Sequence, residues 1–169
     1  IRAAVAKRVE QRTGVPTGID NVLITAGGQA GLFAAHHAVL DEGDTALYID
    51  PYYTTYPGTI RAVGGMPVAI EARSEDGFQP RAEAIDAVAR ATGAKSLLIN
   101  SPNNPTGAVY SRATLEAIAE VCKARDLWLI TDEVYDVLVW EGEHISPRAL
   151  PGMLERTLLV GSKIGRAHV

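Results

Sequence analysis

Three polar side chains of this sequence stand just beyond two apolar runs, and their chemical types favour the recognition of a flat ring. Asn104 lies in the turn after the run Ser96 to Ile99, and Asp132 and Tyr135 follow the run Leu127 to Ile130. Buried strands that end in turns place such residues at the carboxyl edge of an open parallel sheet, where ligands bind. An amide, a carboxylate and a phenol at one edge could hold a flat, polar, ring-shaped cofactor from several sides.

A glycine turn supplies a second candidate site. The segment Ile24 to Gly31 runs from an extended stretch into a helix and contains Gly27, Gly28 and Gln29. Free backbone N–H groups and the positive end of the helix dipole could hold a phosphate there. The order Gly-Gly-x-x-Gly differs from the dinucleotide fingerprint, so an ordinary glycine turn is the alternative interpretation of this segment alone.

The predicted site residues each have a plainer interpretation. Tyr53, after Asp50-Pro51, could stack on a planar heterocycle, or it could be a core tyrosine with its hydroxyl in solvent. Asn104 could simply form an Asn-Pro turn. Asp132 could cap the turn that follows its strand, although a carboxylate at the end of a buried strand normally needs a partner.

The elements that must position these residues alternate between helical and extended patterns. The spacing of apolar residues predicts helices over Ala3 to Arg12, Gln29 to Leu40, Tyr53 to Val63, Arg81 to Ala91 and Arg112 to Arg125. It predicts extended segments over Val22 to Thr25, Thr45 to Ile49, Pro67 to Glu71, Ser96 to Asn100, Leu127 to Thr131 and Thr157 to Val160. Because most of these strands are apolar on both faces, helices must cover both sides. We therefore expect an α/β protein with a three-layer α/β/α architecture and a mainly parallel sheet.

Composition excludes several classes of protein. The chain has 169 residues, of which 47% are hydrophobic and 21% charged, so it can bury one sizeable core. Its 16 basic and 20 acidic residues give a net charge of −4 without a basic stripe, which argues against nucleic acid and anionic membranes as partners. No apolar stretch approaches the roughly 18 residues of a membrane span, and we expect a cytoplasmic protein.

Other common catalytic and metal sites are not indicated. The single cysteine, Cys122, lies on the apolar face of a predicted helix and is expected to be a packed thiol. A serine hydrolase is not favoured, because no nucleophile elbow G-x-S-x-G occurs. No zinc site is proposed, because metal-ligand spacing is lacking around the four histidines His36, His37, His144 and His168.

The candidate motifs occur in an order that resembles one enzyme family. Gly27-Gly28, Pro51-x-Tyr53, Asn104-Pro105-Thr106-Gly107 and Asp132-x-x-Tyr135 together resemble the fold type I pyridoxal-phosphate enzymes, specifically the class I and II aminotransferases. The resemblance covers almost the whole chain up to Ser162. It implies the incomplete cofactor-binding large domain of such an enzyme over residues 1–163.

This resemblance assigns roles around pyridoxal 5'-phosphate. Gly27, Gly28 and Gln29 match the turn that binds the cofactor phosphate, and Tyr53 matches the aromatic residue that covers one face of the pyridine ring. The cofactor would therefore lie with its phosphate on the glycine turn and its ring against Tyr53.

The remaining roles concern the edge of the ring. Asn104 and Tyr135 match residues that hydrogen-bond the ring's phenolic oxygen, and a cis bond is implied before Pro105. Asp132 matches the carboxylate that pairs with the protonated pyridine nitrogen. That pairing keeps the ring cationic, so that it can withdraw electrons from a substrate carbanion.

The Schiff-base lysine has two open interpretations. Lys163 follows Ser162 at the end of the last predicted strand and is the candidate that the sequence offers. Counted from Arg156-Thr157, the family pattern instead places the lysine at position 165, where this chain has glycine. Lys163 is therefore either the catalytic lysine or a surface lysine near a chain end.

Both ends of the sequence carry expectations of their own. The chain opens on Ile1 inside a predicted helix, and Ile164 to Val169 match a run of codons that resembles a widely used sequencing-library adapter. We expect residues 164–169 to be a non-native tail. The family's carboxylate-binding arginine and second phosphate-binding arginine have no counterpart here, so the 169-residue polypeptide is expected to be inactive.

The resemblance implies transfer of an amino group from an L-amino acid to a 2-oxo acid, by a protein that is a homodimer at full length. Two alternatives use the same cofactor: an aminotransferase-like sensor domain of a transcription regulator, and a pyridoxal-phosphate-dependent lyase. An unrelated nucleotide-binding dehydrogenase would need a diphosphate loop after its first strand, and the sequence shows none. The identity of the amino acid and keto acid stays open.

Overall fold

A single parallel sheet forms the centre of the computed structural model, which describes residues 1–162. Its five strands lie in the order β2-β1-β3-β4-β5, and every neighbouring pair is parallel. The strands are β1 (Thr45–Asp50), β2 (Met66–Glu71), β3 (Ser96–Asn100), β4 (Trp128–Asp132) and β5 (Thr157–Val160). The predicted parallel sheet is confirmed, and all five carboxyl ends meet at one edge.

Helices connect and cover these strands. They are α1 (Arg2–Thr13), α2 (Gly28–Val39), α3 (Tyr56–Ala62), α4 (Ala82–Thr92) and α5 (Arg112–Ala124). Single-turn 3₁₀ helices occur at Ile19–Asn21, Ser74–Asp76, Pro147–Ala149 and Leu154–Arg156. Local signals set the helix ends: the Ser111 hydroxyl caps α5 by accepting from the Thr114 N–H at 3.1 Å, and α4 ends at Gly93 in the left-handed region.

Alternation along the strands divides the core into two layers. Leu47 and Ile49 of β1 belong to a cluster with the inner faces of α4 and α5, whereas Ala46 and Tyr48 belong to a cluster with α2 and α3. Burying each large apolar side chain in these clusters contributes about 1.5–3 kcal/mol. The three-layer arrangement follows from strands that are apolar on both faces.

The packed-thiol prediction for Cys122 is confirmed. The side chain is fully buried in the cluster beneath α5, and it forms no disulfide. Burial raises the pKa of its thiol to about 12, with the nearby charge of Arg156 acting in the opposite direction. A thiol of this kind is a poor nucleophile at neutral pH.

Several predicted boundaries differ from those observed. β4 is shifted by one residue, so Asp132 is its last residue, paired with Asn100 on one side and Val160 on the other. The predicted helix from Tyr53 begins only at Tyr56, because the Tyr56 N–H bonds the Tyr53 carbonyl in a preceding turn. Val22 has extended dihedral angles, but residues 22–25 join no ladder within the described chain.

Within residues 1–162, no helix combines the length and the apolar character needed to cross a membrane.

Candidate active site

Asp132 is the charged residue at the centre of the carboxyl edge. Its side chain is only 6% exposed, and Oδ2 accepts a hydrogen bond from the Tyr56 hydroxyl at 2.8 Å while Oδ1 accepts from the Val134 N–H at 3.2 Å. Among residues 1–162, no Lys, Arg or His forms a salt bridge with it. Burial raises the pKa of Asp132, and the two hydrogen bonds only partly oppose this shift. A cationic ligand would stabilise this carboxylate.

Asn100 ties Asp132 to the turn that contains Asn104. Its side-chain NH₂ donates to the Asp132 carbonyl at 2.9 Å, and its Oδ1 accepts from the Asn104 N–H at 2.7 Å. Asn100 is not among the residues predicted from the sequence for the site. The available signal was a polar residue closing an otherwise apolar strand, and such a residue must find partners when it is buried.

The two predicted partners of a ring oxygen lie together. The Asn104 side-chain NH₂ donates to the Tyr135 hydroxyl at 3.2 Å, although the two residues belong to different loops. The bond between Asn104 and Pro105 is cis, as the resemblance implied. Asn103 holds this turn closed, because its Oδ1 accepts from both the N–H and the hydroxyl of Thr106.

Tyr56 is a site residue that sequence reasoning missed. It opens α3, is 2% exposed, and donates its hydroxyl proton to Asp132. Burial, and then the Asp132 charge, raise the pKa of the Tyr56 phenol, so it remains a protonated donor. Its position three residues after Tyr53, at the start of a helix, was the available signal.

Tyr53 presents a partly open aromatic ring beside this pair. Its ring centroid lies 5.9 Å from that of Tyr56, with the two planes at 75°, and the residue is 41% exposed. The edge contact with Tyr56 orients the ring and leaves aromatic surface available for stacking. The turn before Tyr53 also touches the Asn104 turn, since the Asn103 side chain donates to the Pro51 carbonyl at 3.3 Å.

The glycine turn opens the amino end of α2. Gly27 adopts φ 93° and ψ 171°, which favours glycine, and it offers no side-chain cap. The first helical bond runs from the Gly31 N–H to the Gly27 carbonyl, so the N–H groups of Gly28 and Gln29 have no partner inside the helix. The turn can therefore donate two backbone N–H groups to an anion.

The glycine turn packs closely against the end of β5. A Cβ placed on Gly28 would lie 3.6 Å from the Ser162 Cβ, and one placed on Gly31 would lie 3.2 Å from Val160 Cγ1. Lys163, the predicted Schiff-base lysine, lies outside the described residues. The three lysines within residues 1–162 are all exposed, on α1, just before β3 and on α5: Lys7, Lys95 and Lys123.

Gln29 uses its side chain to bind α3. Its Oε1 accepts from the Thr55 hydroxyl at 2.7 Å, and its amide NH₂ donates to the Thr59 hydroxyl. The side chain is therefore engaged, and the backbone N–H is the part of Gln29 available to a phosphate.

These contacts form one continuous path across the sheet edge. From the glycine turn the path passes through Gln29 to α3, and then through Tyr56 to Asp132 and on to Asn104 and Tyr135 by way of Asn100. The structure thus brings together every predicted site residue that it describes, namely Gly27, Gly28, Gln29, Tyr53, Asn104, Asp132 and Tyr135.

The donor set fits a flat heterocycle with a protonated ring nitrogen and a phosphate tail. Asp132 is a buried carboxylate that forms no salt bridge in the described chain, and the glycine turn offers N–H donors to the phosphate. Pyridoxal phosphate has these features. In residues 1–162, no cluster of three or more His, Cys, Asp or Glu side chains could hold a metal ion.

Comparisons with known proteins point to the same kind of molecule. The arginine–pyruvate transaminase of Pseudomonas aeruginosa is 40% identical over 168 residues, which cover 99% of this chain and 42% of that protein. The aspartate/prephenate aminotransferase of Thermus thermophilus is 40% identical over 95% of this chain and 41% of its own length. The solved aspartate aminotransferase from Thermus thermophilus with maleate superposes with a TM-score of 0.89 at 38% identity, over 95% of this chain and 41% of that one.

The chain therefore spans about two fifths of the length of these relatives. The family model described as aminotransferase class I and II matches residues 1–162, nearly the whole chain. This chain belongs to the class I and II aminotransferase family.

Proposed function

We propose that this chain is the cofactor-binding part of a pyridoxal-phosphate-dependent aminotransferase, which moves an amino group from an L-amino acid to a 2-oxo acid. One observation carries the proposal beyond family membership. Asp132 is a buried carboxylate without a cationic partner in the described chain, and it is joined through Asn100 to the Asn104–Tyr135 pair. A carboxylate, an amide and a phenol in this arrangement match the polar edge of a pyridoxal ring.

Asp132 keeps the ring nitrogen protonated in this proposal. When bound, pyridoxal phosphate supplies an electron sink that stabilises negative charge at a substrate carbon. The Asp132 carboxylate holds the proton at the ring nitrogen because a buried anion strongly favours an adjacent cation. Tyr56 fixes the orientation of that carboxylate through its 2.8 Å hydrogen bond.

The other described residues bind and orient. Asn104 and Tyr135 donate hydrogen bonds to the ring oxygen, which sets the rotation of the ring within its plane. Tyr53 covers one face and excludes water from it. The backbone N–H groups at Gly28 and Gln29 bind the phosphate, assisted by the α2 dipole.

A lysine is required to hold the cofactor and to move a proton at the substrate carbon. Lys163 is proposed for this role. The alternative is that Lys163 is a surface residue. Borohydride reduction of the cofactor-bound protein, followed by peptide mass spectrometry, would identify the lysine that carries the cofactor. A labelled peptide that carries the cofactor on Lys163 supports the first interpretation. Labelling at another lysine supports the second.

The partners proposed are small amino acids and 2-oxo acids, with a second copy of the complete protein forming a homodimer in the cytoplasm. The relatives are named for different substrates, including arginine with pyruvate, aspartate with prephenate, and kynurenine with oxoglutarate. The described residues bind the cofactor rather than the substrate side chain, so the proposal stops at the reaction class.

The decisive experiment uses the complete protein, meaning the product of the complete reading frame that contains these residues. It should be purified with pyridoxal phosphate, checked for the cofactor's visible absorption, and assayed with a panel of amino acids and 2-oxo acids. Formation of a new amino acid with release of a keto acid supports the proposal. Release of ammonia would instead identify a lyase, and cofactor binding without turnover would favour a sensor domain.

A further inference from the structure

Glu133 is a second buried carboxylate immediately beside the site. It is 4% exposed and follows Asp132 directly, but its side chain has a separate set of partners. Oε1 accepts from the Ser146 hydroxyl at 2.7 Å and from Thr131 at 3.3 Å, and Oε2 lies 3.0 Å from His144 Nε2. Glu133 therefore binds the loop before β5 rather than the ring-binding cluster.

Burying this carboxylate costs free energy of desolvation. An ion pair removed from water is often no more stabilising than apolar side chains of similar volume. The pKa of the neighbouring Asp132 is raised first by burial, and the negative charge of Glu133 raises it further. A simple packing role would not require a hydrogen-bond acceptor here, whereas fixed hydrogen-bond geometry would.

The backbone around Glu133 shows what this geometry holds. The Glu133 N–H donates to the Val160 carbonyl at 2.8 Å, which joins β4 to the end of β5, and the Asp136 N–H donates to the Glu133 carbonyl at 3.0 Å. The intervening residues include Tyr135. Asp132 at the end of β4 and Tyr135 in the turn after it, the two side chains that would meet the ring edge, thus lie within four residues.

The far end of the same segment is held by α1. The Asp136 carboxylate accepts from Arg8 at 3.1 and 3.2 Å and also pairs with Arg12, which donates in addition to the Asp136 carbonyl at 2.8 Å. Residues 132–136 are therefore fixed at one end by Glu133 and at the other by Asp136.

We propose that Glu133, bound by His144 and Ser146, is a positioning residue that fixes residues 132–136 so that Asp132 and Tyr135 meet the cofactor ring together. The role of Glu133 in cofactor binding rests on the proposed function, whereas its role in fixing residues 132–136 rests on the hydrogen bonds described above. The bond between Asn104 and Tyr135 is 3.2 Å long, at the upper end of the usual range for an N–H···O hydrogen bond. A small displacement of the segment would therefore break it.

The first test uses the complete protein without cofactor, so that it does not depend on the proposed function. Amide hydrogen exchange of residues 132–136 should be about tenfold faster in Glu133→Ala, because the segment opens locally. Glu133→Gln should stay close to the parent protein, since an amide can still accept from Ser146 and contact His144. The matched control is Asp86→Ala, which removes the 2.6 Å pair with Arg125 on the helix layer.

The outcomes separate positioning from two simpler roles. Equal exchange at residues 132–136 in Glu133→Ala and in the parent would overturn the proposal and leave only a contribution to overall stability. Equally fast exchange in the Gln and Ala variants would also overturn it, because the charge rather than the geometry would then matter. If Glu133→Ala does not fold, Ser146→Ala provides the same comparison by removing one of the three side-chain partners.

The second test uses the protein with cofactor. Glu133→Ala should weaken cofactor binding about tenfold and raise the pH midpoint of the bound cofactor's absorption change, because a displaced Tyr135 no longer donates to the ring oxygen. Glu133→Gln should restore both values. If the parent protein binds no pyridoxal phosphate, the proposed function fails, whereas the exchange comparison still decides whether Glu133 positions the segment.

Discussion

The Tyr56 hydroxyl, in the first turn of α3, donates a 2.8 Å hydrogen bond to the carboxylate of Asp132, the last residue of β4. The two residues are 76 positions apart, and each is buried. Their bond connects the helix that binds the glycine turn, through Gln29, to the strand that carries the central carboxylate. The phosphate side and the ring side of the proposed cofactor site are thereby coupled through a single phenol.

Replacing Tyr56 by Phe tests that coupling. Loss of the donor leaves one Asp132 oxygen unpaired in a buried position, which costs about 1–3 kcal/mol of stability and raises the pKa of Asp132 further. We expect cofactor affinity in the complete protein to fall about tenfold, because the carboxylate is less well oriented. Titration of the purified protein with pyridoxal phosphate measures this.

Tyr110→Phe is the matched control for Tyr56. Tyr110 is also buried, but its hydroxyl has no hydrogen-bond partner in the described chain, so its removal should be neutral or slightly stabilising. Equal losses in the two variants would show that the bond to Asp132 has no special importance.

Asp132→Asn separates the charge of this residue from its shape. A folded-state pKa above the ordinary value means that Asp132 costs stability increasingly as pH rises past about 3.8, because the buried group must ionise. The variant should therefore stabilise the cofactor-free protein at pH 7 while reducing the stabilisation that pyridoxal phosphate provides. Thermal unfolding with and without cofactor measures both effects.

In the complete protein, the proposed transaminase activity of Asp132→Asn should fall at least about a hundredfold, since the ring nitrogen loses its counter-charge. The exposed Asp126, paired with Arg156 at 3.2 Å, provides the control substitution Asp126→Asn, for which neither change is expected. A destabilised cofactor-free Asp132→Asn protein would contradict the account of this carboxylate as a buried charge awaiting a cation.

The sequence predicted most of the sheet because its signals are local. Apolar runs such as Leu127 to Ile130 marked the strands, and the turn residues after them marked the edge where the site lies. Asn104, Asp132 and Tyr135 could be placed at this edge because their neighbours in sequence determine their position.

Residues whose roles depend on distant contacts could not be found in this way. Tyr56 meets Asp132, and Glu133 meets Ser146, only after the crossover connections have formed. The end of β4 was misplaced for the same reason, because pairing with β3 and β5 decides it. The start of α3 was misplaced for a local reason, since the turn from Tyr53 to Tyr56 precedes the helix.

His36 should make the fold sensitive to acid. It is fully buried on α2, both ring nitrogens lack partners in the described chain, and burial lowers its pKa to about 4. The unfolded chain, with an ordinary pKa near 6.5, then binds the proton more tightly, so stability is full above about pH 6.5 and falls as the pH decreases towards 4. The total loss is roughly 3 kcal/mol.

His36→Leu should remove this dependence in urea unfolding measured between pH 4 and 7. The neighbouring His37 is exposed on the same helix, and His37→Gln serves as the control that keeps the acid sensitivity. An unchanged pH profile in His36→Leu would assign the acid sensitivity to another group.

Two helical glycines should respond in opposite ways to alanine. Gly58 in α3 has nothing within 4 Å of an added Cβ, so Gly58→Ala should raise stability by about 0.5–1 kcal/mol through helix propensity. Gly31 in α2 faces β5, where an added Cβ would lie 3.2 Å from Val160 Cγ1 and 3.4 Å from Thr25 Oγ1. Gly31→Ala should therefore gain nothing or lose about 1 kcal/mol, because the helix must move away from β5.

Such a movement of α2 would also carry the N–H groups at Gly28 away from the strand end. Gly31→Ala should thus weaken the binding of pyridoxal phosphate more than that of pyridoxal, which lacks the phosphate, whereas Gly58→Ala should leave the ratio of the two affinities unchanged. Affinities for both compounds, measured on the complete protein, give this ratio directly. A Gly31→Ala variant that loses equal affinity for both would place the phosphate elsewhere than at the amino end of α2.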